Sequence, residues 1–356
     1  MKSSYLVLVF LFLSIISFMD VFCSTALGKY KNIIYVGVLF VLALLAGMRE
    51  DTYDYANYEM LFQQTPDFIT MFYMGDFSYI ADIREEPGYM LINSIVKCFT
   101  DESEVLFCVI SFSTLFFYGI SIRRYSKYPM VSIMLYFSMI YLVKEMVQIR
   151  HGLAIAIFVY SFRYVLADKF WKFFLCIMLA ASFHEAIFFS ILIYPLRHMR
   201  VNYSYGMFSI FVCIILYVLN IVDNIIFPIS EGFAYYTRIT SYFGSSYLAT
   251  ADLVRFWKYS VLFICLLFMG KLIRKKYKYY DFMMIVFSTG LIITAMWSAY
   301  PFFADRLSAA MWTSMIFILP TLFSVVCGNI WRYLMLLGLI ALSGNIFIGN
   351  MVMVAN

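Results

Sequence analysis

Arg49, Arg150 and Arg306 interrupt or closely flank the apolar runs of this 356-residue chain, and so do His184, Glu86, Asp51, Asp54, Arg238 and Asp305. An arginine at bilayer depth costs about 2.5 to 3.5 kcal/mol on insertion scales, so ionisable groups there face a bundle interior or a wet cavity and mark function. Guanidinium groups suit anion binding. An imidazole exchanges a proton near neutral pH. Several arginines drawn from distant stretches to one level therefore imply a shared water-filled cavity and an anionic ligand.

The elements that must position these groups are membrane helices. Hydrophobic residues make up 64% of the chain and charged residues 13%, with a mean hydropathy of +0.85. That leaves too little polar surface to coat a soluble globule of this length. Runs such as Leu6 to Phe22, Asn32 to Gly47, Val105 to Ile122 and Val254 to Gly270 approach the roughly 20 apolar residues that cross about 30 Å of hydrocarbon. They are continuous, without the strict alternation of a barrel, so the fold class is all-α and polytopic, with about ten or eleven spans. The first run reads as a retained anchor more readily than as a cleaved signal. The seven cysteines sit in or beside apolar runs without close pairing and read as small core residues. There is no dinucleotide fingerprint, phosphate loop, Cys/His metal cluster or basic nucleic-acid surface.

Charge sets the expected topology. Basic residues gather at Arg123, Arg124 and Lys127, at Lys169 and Lys172, at Arg197 and Arg200, and at Lys271, Arg274, Lys275, Lys276 and Lys278. The positive-inside rule places these in the cytoplasm. Residues 48–104 carry twelve acidic against three basic side chains, and residues 223–253 carry Asp223, Glu231 and Asp252 against Arg238. Both stretches are expected outside. The alternation then closes only if the run from Phe173 to Pro195 is not one span: it should enter, break near Ser182, Phe183 and His184, and return. Broken helices at membrane depth are tolerated where they line a cavity, so the break would itself mark a site. An ordinary span with a buried histidine is the alternative. No linker or internal repeat divides the chain, which reads as a single membrane domain over 1–356.

Five segments, taken in order, resemble the EpsG-like, Wzy-type polysaccharide polymerases. Ala46-Gly47-Met48-Arg49 with Asp51, Asp54, Tyr55 and Tyr58 is similar to the small-Gly-x-Arg and Asp/Tyr signature after an early span. Glu86-Pro87-Gly88-Tyr89 resembles the Glu-x-Gly-aromatic segment. Gln148-Ile149-Arg150-His151-Gly152-Leu153-Ala154 resembles the Ile-Arg-Gln-x-Leu/Ile-Ala motif, Phe183-His184-Glu185-Ala186 the Phe-His-x-Ser/Ala motif, and Asp305-Arg306-Leu307 the late Arg-Leu element. There are departures: His151 stands where glutamine is expected, and Asp51 follows Arg49 without the usual spacer.

The resemblance implies an inner-membrane enzyme of a bacterium. It would move a growing glycan from a polyprenyl diphosphate carrier onto the next carrier-linked repeat unit at the periplasmic or external face. No cofactor and no metal are expected, and no nucleic acid. The expected partners are the carrier-linked oligosaccharide, the growing polymer, membrane lipid and a chain-length regulator. In such a reaction arginines neutralise the departing diphosphate, with Arg150, Arg306 and Arg49 as candidates in that order and Arg238 behind them. Asp51, Asp54 and Asp305 are expected at the substrate. His184 leads as the base for the acceptor hydroxyl, with Glu86 or Asp54 as substitutes. Because a point charge does not reproduce the guanidinium fork, Arg150→Lys is expected to fail nearly as badly as Arg150→Ala. Tyr53, Tyr55, Tyr58, Tyr73 and Tyr79, and Tyr235, Tyr236, Tyr242 and Tyr247, are either glycan platforms or membrane anchors. Two other readings stay open on residues alone: a polysaccharide-lipid flippase, and an O-antigen ligase-type glycosyltransferase.

Overall fold

The computed structural model describes residues 3–22, 28, 30–50, 52–77, 85–222, 224 and 249–355. Asp51, Arg238, Tyr79 and Tyr235 to Tyr247 lie outside the described residues. Among those described there are helices and no strands. Four helices, Ser4–Phe22, Ser103–Tyr125, Pro301–Ser324 and Asn329–Val352, are long and apolar enough to cross a membrane. A fifth candidate is the pair Phe256–Phe268 and Gly270–Lys276, bent by 70°. The protein is an all-α, polytopic membrane protein, and its chain divides into two compact units, Met1–Phe188 with Leu319–Asn356, and Phe189–Ile318.

The first unit opens with α1 (Ser3–Phe22) and α2 (Lys31–Gly47). The acidic stretch that follows folds into three short helices, α3 (Tyr55–Gln64), α4 (Phe68–Met74) and α5 (Pro87–Lys97). Each has a local cause. Asp67 caps α4 by accepting from the Thr70 amide at 2.8 Å, while Pro87 begins α5 at the position where a missing N–H costs nothing. The long α6 (Ser103–Tyr125) packs along α2. A Cβ on Gly47 would lie 2.8 Å from the Cα of Cys108, so only glycine permits this approach. Buried hydroxyls fasten the pair: Ser111 donates to the Ala43 carbonyl at 2.7 Å and Tyr35 to the Gly119 carbonyl at 2.6 Å.

Next comes α7 (Pro129–Tyr136), which widens without interruption into a π-helix over Phe137–Glu145. Such insertions are rare and recur at functional sites. The π segment packs on α8 (Ile149–Val165) and on the last helix, and α8 packs on α9 (Phe170–Ala181). At its start α7 is held by buried Asp20 of α1, which accepts from the Met130 amide at 3.0 Å and from Lys31 Nζ at 2.6 Å.

The helix break expected at Ser182, Phe183 and His184 is present. α9 stops at Ala181, and a 3-10 helix runs over Glu185–Leu192. The Ser182 carbonyl, freed by the end of the α-helix, accepts the Gly88 amide of α5 at 2.8 Å. A Cβ at Gly88 would meet that same carbonyl at 2.8 Å.

The second unit holds the short α10 (Ile193–Leu196), then α11 (Tyr203–Leu219), α12 (Ala249–Phe268), α13 (Gly270–Lys276), α14 (Tyr280–Met296), α15 (Pro301–Trp312) and α16 (Met315–Ile318). α14 is central and contacts each of the others. The cluster of Lys271, Arg274, Lys275, Lys276 and Lys278 contains a structural group as well as topological charge. Arg274 pairs with Asp281 at 2.6 Å and donates to the Val201 carbonyl at 2.5 Å, while Asp281 accepts the Val201 amide at 3.1 Å. Arg274→Ala is expected to destabilise the protein by about 1.5 to 3 kcal/mol, as for charged hydrogen bonds generally. Thermal unfolding in detergent reads this, and Lys275→Ala serves as the comparison that should change little. One boundary differs from the sequence expectation: α15 begins at Pro301, not Leu307, so Asp305 and Arg306 lie within the helix. Pro301 nucleates that earlier start.

After a 3-10 turn (Leu319–Ser324), α17 (Asn329–Ala355) returns to the first unit. Ser138 and Ser343 pair at 2.8 Å, and Asn350 donates to the Ser138 carbonyl at 2.8 Å.

Candidate functional site

Arg150 is the second residue of α8, and its Nη1 donates to both Glu85 and Glu86. Glu86 is the residue before Pro87, so the carboxylates stand at the N-terminus of α5, where the helix dipole favours negative charge. The guanidinium lies 5.5 Å from the Tyr58 ring centroid and 5.3 Å from that of Tyr89. The three charged side chains keep only 19 to 26% of their surface exposed. Burial pushes the Glu86 carboxyl above the usual carboxylate range; Arg150 opposes this, and Glu85 and Glu185 add to it. Two of the sequence motifs, 86–89 and 148–154, thus form one charged centre.

The third motif joins it through the histidines. The rings of His151 and His184 stack with centroids 4.0 Å apart and planes 12° from parallel. His151 Nδ1 lies 3.3 Å from Lys144 Nζ, and Lys144 donates to Gln148 Oε1 at 2.7 Å. An ammonium has no acceptor capacity, so in a Lys144 to His151 hydrogen bond Nδ1 is the acceptor. The close approach of α8 to the π-helix depends on Gly152, where a Cβ would sit 2.5 Å from the Lys144 carbonyl oxygen. Glu145, the next residue of the π segment, is buried and accepts from the Tyr136 hydroxyl at 3.0 Å.

Arg49, just beyond α2, is 1% exposed. It donates to the Ala46 carbonyl at 3.0 Å and lies 4.1 Å over the Phe107 ring, with Nε and Nη2 lacking hydrogen-bond partners. Burial pushes its guanidinium down from its usual range, against the opposing pull of Tyr58, Tyr89 and Glu145 around it. Among the described ion pairs none joins Arg49 to Glu50, its acidic neighbour in the chain.

The first unit therefore assembles Arg49, Glu86, Arg150 and His184 from stretches well apart in the chain. Asp54 stands at the N-cap of α3, one turn before Tyr58. Arg306 and Asp305 belong to α15 of the second unit, where Arg306 lies 3.9 Å over the Phe302 ring. Asp51 and Arg238 lie outside the described residues. Of the loop tyrosines, Tyr53 and Tyr73 are exposed, whereas Tyr58 is buried against the charged centre and is no surface platform. His151, which stands where the family motif has glutamine, is the ring on which His184 stacks. Sequence reasoning reached Asn93 only as the end of the segment that begins at Glu86, without a role, and missed Lys144 and Glu145. Those two carried a signal, since a Lys-Glu pair directly continues the apolar run ending at Val143. Among the described residues no group of three His, Cys, Asp or Glu side chains is arranged to hold a metal ion.

Fold and site together define a multi-pass, all-α membrane protein with a buried centre of arginines, carboxylates and stacked histidines. The EpsG family model matches residues 32–356, and the chain belongs to that family. It is also similar to the amylovoran biosynthesis protein AmsC of Erwinia amylovora, at 28% identity over 201 residues. That match covers 55% of this chain and 52% of the relative, so the chain spans about half the length of the curated relative it matches. No solved structure matches the chain.

Proposed function

We propose that the protein is a polysaccharide polymerase that transfers a growing glycan from a polyprenyl diphosphate carrier to the next carrier-linked repeat unit at the external face of the cytoplasmic membrane. The observation that carries this reading is the meeting of three sequence-distant motifs at one buried centre: Arg150 on Glu85 and Glu86, the Gly88 amide on Ser182, and His151 on His184. Membership of the EpsG family and the amylovoran biosynthesis role in the relative's name support it. A guanidinium in such a centre offers charge to a departing diphosphate, and a carboxylate or imidazole beside it takes the acceptor's proton.

The test is the surface-polysaccharide ladder of cells lacking the gene. The expected result is loss of the ladder with a single capped repeat unit retained, restored by the wild-type gene and not by His184→Ala at matched abundance. Loss of the single-unit band as well would point to export or ligation and overturn the reading.

The base can be separated by pH. The Glu85 charge helps hold the Glu86 carboxyl up, so Glu85→Gln lowers it and keeps the basic form to lower pH. If Glu86 is the base, the acidic limb of polymerisation in proteoliposomes moves to lower pH in that variant. An unmoved limb removes Glu86 as the base.

A further inference from the structure

The arginine best placed by sequence order to hold a diphosphate is already neutralised. Arg150 carries two carboxylates on one nitrogen, and Glu185 also acts on this pair. A dianionic or trianionic group brought here would face net negative charge. The opposite holds at Arg49. This residue is buried with Nε and Nη2 unpartnered, and the buried Tyr89 hydroxyl and Asn93 amide lie against each other with no third group among the described residues completing their hydrogen bonds. Tyr89 is in the electrostatic reach of Arg49 and adjoins Asn93. An unmatched buried polar group costs about 1 to 3 kcal/mol, and more when charged. The unmatched hydrogens on Arg49, Tyr89 and Asn93 outnumber the unmatched acceptors, so what completes the group is rich in acceptor oxygens and negative in charge.

We infer that Arg49, with Tyr89 and Asn93, is the diphosphate-binding subsite, and that Arg150 is a positioning residue for the carboxylates on the acceptor side. This rests on the polymerase reading above and divides its labour: one guanidinium for the leaving group, the other to hold Glu85 and Glu86. Tyr58 and Tyr89, whose rings are 5.7 Å apart, interact electrostatically with both arginines. Arg49 offers unused N–H groups on two nitrogens, the geometry for bidentate recognition of phosphate oxygens, and among the described residues carries no carboxylate hydrogen bond.

The experiment measures binding by the full chain in neutral-lipid nanodiscs, using inorganic pyrophosphate, farnesyl diphosphate and phosphatidylglycerol as separate probes. Pyrophosphate and farnesyl diphosphate should bind the wild type. Arg49→Lys should weaken both at least about tenfold, the loss of about 1.4 kcal/mol, and Tyr89→Phe, which removes one hydroxyl without changing shape, should weaken both about three- to tenfold, one neutral hydrogen bond. Arg150→Lys should bind both like wild type. Wild-type affinity in folded Arg49→Lys and Tyr89→Phe, or loss of binding in Arg150→Lys instead, overturns the assignment while leaving the polymerase reading to its ladder test. Arg49-dependent binding of phosphatidylglycerol with no binding of farnesyl diphosphate also overturns it, making the site one for a lipid headgroup.

Discussion

Arg150→Ala should reduce polymer formation at least a hundredfold and lower stability, whereas Arg150→Lys should stay within about tenfold of wild type. Removing one partner of a buried ion pair costs about 3 to 5 kcal/mol because the other charge is left uncompensated. Here two carboxylates, Glu85 and Glu86, lose their common donor. Their partial exposure puts the cost at the lower end, about 2 to 3 kcal/mol. The lysine outcome reverses the expectation drawn from sequence, which treated the guanidinium as a fork on phosphate. In the structure a single nitrogen, Nη1, serves both carboxylates. An ammonium with three donors can do the same, losing the contact of a planar cation with the Tyr58 and Tyr89 rings and the guanidinium's hydrogen bond to Tyr58. Polymer length and quantity at matched protein abundance, together with thermal unfolding of the purified variants, measure both parts. Equal failure of lysine and alanine would restore the fork to the mechanism.

Gly152→Ala should be the most damaging single-methyl change in the first unit. Its Cβ would stand 2.5 Å from the Lys144 carbonyl oxygen and 3.0 Å from Glu145 Oε1, and the first of these is backbone that cannot swing aside. Overpacking usually costs about 1 to 3 kcal/mol. A clash between two helix backbones lies at or above the top of that range. The displaced turn also carries Arg150 and His151 on one side and Lys144 on the other, so activity should fall further than stability alone explains. The comparison is Gly338→Ala in α17, where an added Cβ meets nothing within 4 Å. That change should be neutral, or stabilising by about 0.5 to 1 kcal/mol through helix propensity. A Gly152→Ala protein with the wild-type melting temperature and ladder would show that α8 and the π-helix separate without cost.

Sequence reasoning reached the all-α membrane class because composition and run length settle it. It also reached the break at Ser182 to His184, because the charge alternation failed without one. It found Arg49, Glu86, Arg150 and His184 as separate signals, since charges in apolar surroundings stand out one at a time. It did not reach their pairing. Nothing in the spacing of Glu85, Glu86 and Arg150 says that one nitrogen bridges both acids, because that contact depends on α5 docking at the end of α9. The π-helix was equally illegible: its sequence, Phe137 to Glu145, is ordinary apolar helix until Lys144. Asn93 belongs to the segment that begins at Glu86, but its role was illegible because an amide in an acidic, polar stretch has no distinct function until the stretch folds and buries it.

The bond from the Gly88 amide to the Ser182 carbonyl involves no side chain at either end. Residue 182 can therefore drift in identity, exchanging its hydroxyl for another small group, without untying the two segments. Residue 88 has no such licence, because any β-carbon there strikes the carbonyl it must reach. Tolerance to substitution across this joint should accordingly be one-sided. A saturation library would accept small residues at 182 and recover glycine alone at 88.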